Sequence, residues 1–422
     1  MSKKKVLLIC YSFPPFPGIG GRRWAKFAKY LTKKDFELFV IGAEHRLGKK
    51  SNWSQDIDNN KAINYFAVRT RFFSFFHDHN FSFLKKIKYR LSKLYLENKY
   101  QGNFYDKVLS SNDLFYEKAK ELIMKHEVKN LVITIAPNRL VEVGVKLKKE
   151  FPDLNFIMDV RDPWNICLDN WDHKELNDER KAFELKSELN AVRVADKVLS
   201  VCKVVTDFYA ENIPEKTQNF IFIPNGFDPD EINTALADKK KNALNYFVYT
   251  GILYDISIGL FNEFLLQVSE LMREGSELLK NTEFHFYIPE QAQFKKSVEE
   301  HGLENIVKFF DLVPLSEIQK IISQSSGGML FLPPQFEFSL STKFYEYVSY
   351  GKKILLFSNP GEVAEIIKKH GLGYVMLPGK MAEPFKTAIM DLNSGKELPE
   401  HTFNLQDYSI ANLTEKIIPY FK

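Results

Sequence analysis

Short apolar runs alternate along the chain with longer segments whose apolar positions recur every three or four residues. Val6–Tyr11 is an uninterrupted apolar run of strand length, the pattern of a parallel strand buried on both faces. Trp24, Phe27, Ala28 and Leu31 then fall at i, i+3, i+4 and i+7, one face of an amphipathic helix. The rhythm continues with strands over Phe36–Ile41, Asn130–Ala136, Asn155–Val160, Lys197–Cys202 and Phe220–Ile223. Helices fall over Tyr116–His126 and Arg139–Glu150, with a long helix ending near Ala195. A second block places strands at Tyr246–Thr250, Glu283–Ile288, Ile306–Leu312, Gly328–Leu332 and Lys353–Phe357, with helices at Ser316–Ser323, Thr342–Ser349 and Glu362–His370. Such alternation implies parallel sheets covered by helices, so two blocks predict an α/β protein of two doubly wound, Rossmann-like domains. The turn-rich, polar stretch Pro224–Asn233 marks the hinge. The predicted domains are residues 1–228 and 229–405. A last helix, around Ile410–Phe421 in the segment 406–422, either caps the second domain or crosses back to the first, and periodicity leaves both open.

Length agrees with two domains, because a single core rarely outgrows about 250–300 residues and this chain has 422. A charged content of 27% and a hydrophobic content of 45% are those of a folded protein. A net charge of +4 is too small for a nucleic-acid partner. Cys10, Cys167 and Cys202 are the only cysteines. They lack metal-ligand spacing and suit a reducing, cytoplasmic setting. The run Val6–Cys10 is too short for a signal peptide, and no stretch of about 18 apolar residues offers a spanning helix.

In an open parallel sheet, ligands bind beyond the carboxyl ends of the strands. Five strand-end loops carry candidate chemistry. Ser12–Arg23 joins the first strand to a helix, with Gly20 and Gly21 letting backbone approach closely and Arg22 and Arg23 in a first turn where the helix dipole disfavours cations. Ala136-Pro137-Asn138-Arg139 follows the next central strand. Asp159-Val160-Arg161-Asp162-Pro163-Trp164 puts two carboxylates and a guanidinium at a strand end, where they must be paired or solvated. Ile223–Asp228 contains an Asn-Gly corner. Leu332–Tyr347 runs from a strand through a proline-rich loop to a Ser/Thr-capped helix start, whose amides suit a diphosphate. There Lys343 offers a point charge to phosphate, and Glu346 lies three residues on, on the same face. The plain alternative for that segment is a capped helix with a surface Lys343–Glu346 pair.

Taken in order, these segments resemble the family-4-like, retaining glycosyltransferases of the GT-B fold. The likeness rests on the Pro14–Arg23 loop, the Asp-x-Arg-Asp-Pro-Trp of Asp159–Trp164, the Ile-Pro-Asn-Gly-x-Asp of Ile223–Asp228, and Lys343–Tyr347 followed by Gly351 and Lys352. The resemblance implies two Rossmann-like domains facing a central cleft. It implies transfer of a sugar from a nucleotide-diphosphate sugar to a glycan or lipid-linked acceptor in cell-surface polysaccharide biosynthesis, with no metal or other cofactor. Gly20, Gly21, Gly251, Ser341, Thr342, Lys343 and Glu346 are then donor-binding. Arg161, Asp162 and Glu337 are catalytic, and Arg22, Arg23, Asn138 and Arg139 lie on the acceptor side. Two departures stand out. Phe338 occupies the first position of the family's Glu-x7-Glu, with Glu337 one residue away. Thr250–Asp255 also lacks the family's basic pair. Both leave room for a non-catalytic subunit of the same fold that binds nucleotide sugar or glycan.

Residues 61–100 are strongly basic and carry Phe72, Phe73, Phe75, Phe76, Phe81 and Phe83. They form either a patch for an anionic membrane surface, which would make the protein peripheral on the inner face of the plasma membrane, or an insertion packed on its own core. Asp56-Ile57-Asp58 and His77-Asp78-His79 sit in polar stretches and are expected to be solvated loops rather than metal ligands.

Overall fold

The computed structural model describes residues 3–45, 51–71, 83–166, 176–232, 244–274, 277–336, 340–394 and 400–422. The chain divides into two compact units: Met1–Pro224 with Ile410–Lys422, and Asn225–Ser409. The first division falls within the turn-rich stretch that the sequence marks as the hinge.

In the first unit, β1 (Lys4–Cys10) leads to α1 (Arg22–Thr32), β2 (Phe36–Ala43) and β3 (Ile63–Val68). Then come α2 (Phe83–Lys99), α3 (Asn112–His126), β4 (Asn130–Ile135), α4 (Val141–Glu150), β5 (Asn155–Val160), α5 (Asp178–Val194), β6 (Lys197–Ser200), α6 (Lys203–Asn212) and β7 (Phe220–Phe222). The seven strands lie in the order β3-β2-β1-β4-β5-β6-β7, and the pairings are parallel, Val6 facing Leu38 on one side and Asn130 on the other. The apolar runs are apolar because both faces are covered: Val6, Leu8 and Val40 join Trp24, Phe27, Ala28 and Leu31 of α1 in one core. Residues 63–68, which the charge pattern assigns to a basic insertion, are instead the edge strand β3, paired with β2. Their half-buried residues dilute the apolar run that marks the inner strands. The insertion therefore begins after β3.

The second unit contains β8 (Asn245–Thr250), α7 (Ile258–Arg273), β9 (Thr282–Tyr287), α8 (Ala292–Glu300), β10 (Val307–Phe310), α9 (Leu315–Gln324) and β11 (Gly327–Leu332). It continues with α10 (Thr342–Ser349), β12 (Ile354–Ser358), α11 (Glu362–His370), β13 (Gly373–Met376) and α12 (Ala382–Asn393). Its sheet runs β10-β9-β8-β11-β12-β13. Phenylalanines fill one face of it. Phe331 stacks on Phe357 at 4.6 Å, and Phe264 meets Phe284 edge-on at 5.0 Å. The final helix, α13 (Ile410–Ile417), settles the open alternative. Its Ile410, Leu413 and Ile417, with Phe421, bury in the core of the first unit. The chain end is tied down there by Lys4 Nζ donating to the Phe421 carbonyl at 3.2 Å and Asn155 Nδ2 to the Tyr420 carbonyl at 2.8 Å.

Strand order reverses once in each sheet, at β1/β4 and at β8/β11. Those switch points open a crevice at the carboxyl ends of the strands, and the candidate loops lead from them. Phe264 touches the rings of Phe284, Phe286, Phe331, Phe357 and Phe385. Phe264→Ala should therefore cost the second unit about 3–5 kcal/mol, read as an earlier urea-unfolding midpoint; a loss below about 1 kcal/mol would contradict this packing.

Candidate functional site

In the second unit, the switch point brings the end of β8 against the start of α10. Gly251 follows β8 with φ of 90°, a conformation that side-chain-bearing residues rarely adopt, and its N–H donates to the Tyr287 carbonyl at 2.9 Å. A Cβ added there would lie 3.2 Å from Cε and 3.5 Å from Nζ of Lys343, so the missing side chain is what lets the lysine lie along this loop. The Lys343 ammonium sits 5.1 Å from the centre of the Tyr249 ring, a cation–π contact. Burial pushes its pKa down, and the nearby Glu346 charge only partly opposes this. Lys343 and Glu346 are not the surface ion pair of the plain alternative: among the described residues, Nζ makes neither a hydrogen bond nor a salt bridge.

The helix that presents Lys343 is pinned. Tyr347 donates from its hydroxyl to the Val248 carbonyl at 3.0 Å, and its ring fills the space over Gly328, where a Cβ would come within 2.3 Å of it. Ser341 has the extended backbone of an N-cap residue, yet its side chain caps nothing. Its Oγ is buried without a hydrogen-bond partner among the described residues, and so is Ser358 Oγ at the end of β12. Tyr254 stacks on Phe336 at 5.3 Å, tying together the loops after β8 and β11. The half-buried Lys343 ammonium, the Ser341 hydroxyl without a partner among the described residues and the first-turn amides all belong to one helix start, a combination that favours an anion. Thr342 is the first residue of that helix. Tyr249, one residue before a strand end, was not singled out by sequence; the Tyr-Thr-Gly order at the end of an apolar run was its available signal. Glu337 and Phe338 lie outside the described residues.

In the first unit, the charged motifs are largely used by the fold itself. Arg23 is a correction to its acceptor-side assignment. Its Nε donates to Asp159 at 3.1 Å, Nη1 to the Pro224 carbonyl at 2.9 Å and Nη2 to the Ile223 carbonyl at 2.8 Å. Buried and engaged at every nitrogen, it braces β5 and the end of the unit. Asp159, fully buried, also accepts from Trp24 Nε1 at 2.7 Å and Thr134 Oγ1 at 2.9 Å. Gly21 and Gly20 are required by close packing. A Cβ on the first would fall 2.1 Å from the Ser12 carbonyl oxygen, and on the second 2.6 Å from Arg161 Nη1. Arg161 donates to the Gly20 carbonyl at 2.5 Å and pairs with Asp162 at 2.8 Å, leaving Asp162 60% exposed. Arg22 is buried in the first turn of α1, and Asn138 is half-buried in a short 3-10 turn.

Arg139 is likewise a brace. Its guanidinium donates to Glu184 at 2.9 Å and to the Gln101 carbonyl at 3.3 Å, and it pairs with Glu142. Its N–H donates to Asp106 at 3.0 Å. Glu184 further accepts from the Asn103 N–H at 2.8 Å and from Trp164 Nε1 at 2.9 Å. One turn on, Glu188 accepts from Asn165 Nδ2 at 2.7 Å and the Tyr209 hydroxyl at 2.6 Å. Two buried glutamates of α5 thus clip down the residues that follow Arg161 and Asp162. Sequence reading passed over them, although their i, i+4 spacing was a usable sign of a shared face. Asp56 is a further correction: it is not a solvated loop residue but pairs with Lys26 at 2.6 Å and Lys29 at 3.6 Å. His77, Asp78 and His79 lie outside the described residues, as does Cys167. Cys10 and Cys202 are buried and not in a disulfide.

Burial, aided by the Glu184 charge, pushes the Asp106 carboxyl up to about 6, against two backbone N–H donors and the charge of Arg139. The ordinary value is 3.8, so the fold favours the neutral acid. Its contribution is full below about pH 4 and lost as pH rises past about 6. Denaturation of wild type and Asp106→Asn should show a stability difference that favours wild type more at pH 4 than at pH 7. A difference independent of pH would contradict the assignment.

No protein-family model matches the chain, and no curated protein matches it in sequence. Solved structures do match. A sucrose-phosphate synthase from Thermosynechococcus elongatus superposes with a TM-score of 0.62 at 12% identity, over 100% of this chain and 95% of that one. An alpha,alpha-trehalose-phosphate synthase (UDP-forming) from Burkholderia vietnamiensis gives 0.60 at 12%, over 99% and 98%. The lipopolysaccharide outer core galactosyltransferase WaaB gives 0.54 at 14%, over 99% and 97%. With its two parallel, doubly wound sheets of seven and six strands, the chain has the GT-B fold that these proteins share.

Proposed function

We propose that the chain is a glycosyltransferase that takes a hexosyl group from a nucleoside-diphosphate sugar and passes it to a glycan or lipid-linked acceptor, with retention of configuration, in surface-polysaccharide assembly. The observation that carries this reading is the half-buried Lys343 side chain, which lies along Gly251 and against the Tyr249 ring without a carboxylate salt bridge among the described residues. In this reading the diphosphate lies at the start of α10, against Lys343, Thr342, the Ser341 hydroxyl and the first-turn amides. Glu346 accepts from the ribose hydroxyls. As the glycosidic bond breaks, negative charge builds on the leaving phosphate, and fixed donors there lower the barrier without a divalent ion. The motif order that resembles retaining enzymes supports retention, which needs no dedicated general base. Arg161 and the exposed Asp162, at the carboxyl end of β5, are the catalytic candidates of the first unit. The names of the structural neighbours, a UDP-forming synthase and a galactosyltransferase among them, agree with this chemistry.

The second reading, a non-catalytic binder of nucleotide sugar, is favoured by one observation: Gly251–Asp255 brings no cation to the site. Hydrolysis or transfer of donor by the purified chain separates the two.

Lys343→Ala and Glu346→Ala should each lower kcat/KM by about 10²–10³-fold. Nucleoside diphosphates that raise the melting temperature of the wild type should raise that of Lys343→Ala far less. Near-normal turnover in both variants would refute the assignment.

A further inference from the structure

Among the described residues, nothing covers one apolar face of helix α2. Leu84, Ile87, Leu91, Leu94 and Tyr95 are 78, 43, 64, 55 and 54% exposed. They fall at i, i+3, i+7, i+10 and i+11, a single stripe on a helix turning 100° per residue. The opposite face already holds the helix to the first unit. Leu96 is buried with Phe104, Tyr105 and Leu176, and Tyr89 and Tyr100 pack against them. The exposed stripe is therefore not what fastens the helix.

The edges of the stripe are basic. Lys86 and Arg90 lie along one side, Lys88 and Lys99 along the other, and all four are exposed. Lys99 reaches back over Tyr95, its Nζ 3.0 Å from the hydroxyl. The helix carries six basic residues against a single acid, Glu97. We propose that this face of α2 lies in the plane of an anionic phospholipid surface. The five apolar side chains enter the boundary between head groups and acyl chains, and the flanking lysine and arginine stems extend outward to lipid phosphates. The charge chooses the occupant, since a second copy would set basic edge against basic edge. Among the described residues, no helix is long and apolar enough to cross a membrane, so attachment here is to one surface. The Phe72–Phe81 cluster emphasised by the sequence lies outside the described residues, and the inference stands on α2 alone. It is also independent of the donor site.

The test is co-sedimentation of the full chain with vesicles of phosphatidylglycerol and phosphatidylcholine, and with vesicles of phosphatidylcholine alone. Wild type should bind the anionic vesicles, weaken with salt and bind the neutral ones poorly. Lys86→Gln/Lys88→Gln/Arg90→Gln should bind more weakly by roughly fivefold for each charge removed. Leu91→Glu/Leu94→Glu should lose binding while keeping the wild-type circular dichroism spectrum and thermal response to nucleoside diphosphates. Undiminished binding by that variant, equal binding to both vesicle types, or no vesicle binding together with an α2-dependent dimer in size-exclusion chromatography would overturn the proposal.

Discussion

An amine taken out of water must be compensated by an anion, or it shifts toward its neutral form. In the second unit that constraint falls in part on the half-buried Lys343, which rests on the Tyr249 ring and along Gly251 while burial pushes its pKa down. What holds it there is the sheet. Tyr347 locks α10 to β8 through the Val248 carbonyl, and the order β8-β11 places the start of α10 beside the loop that follows β8. The unengaged Ser341 hydroxyl faces the same need from the donor side. A diphosphate would satisfy both groups at once.

The first unit shows the opposite economy of charge. Asp159, Arg23, Arg139, Glu184 and Glu188 are buried and meet one another, or backbone and neighbouring polar groups, with most donors and acceptors matched. Such a network holds its loops in one geometry, because removing either member of a buried pair strands the other. Its product is a fixed strand-end segment in which Arg161 is tethered to Gly20 and Asp162 projects to solvent.

The fold was legible in the sequence because inner parallel strands such as Val6–Cys10 and Gly328–Leu332 are buried on both faces and read as unbroken apolar runs. The edge strand β3 was not, since half-burial mixes polar residues into it. The path of the last helix was not either, because an amphipathic stripe records that a face is covered and not by what. The sequence placed Lys343 in the first turn of a helix that follows a strand-end loop, and that helix start is where the structure has it, beside Gly251. Arg23 and Arg139 misled, because residue type cannot separate an arginine that awaits a ligand from one engaged at several nitrogens by the protein. That distinction lies in contacts far apart along the chain, such as Arg23 with the Ile223 carbonyl at 2.8 Å.

The proposed pairing of the half-buried Lys343 ammonium with a diphosphate can be tested directly. The lysine side-chain nitrogen can be followed by NMR titration of the labelled full chain, with Lys343→Arg used to assign the resonance. Its pKa should lie below the ordinary lysine value in the free protein and rise when a nucleoside diphosphate binds. An ordinary pKa that the nucleotide leaves unchanged would contradict the pairing.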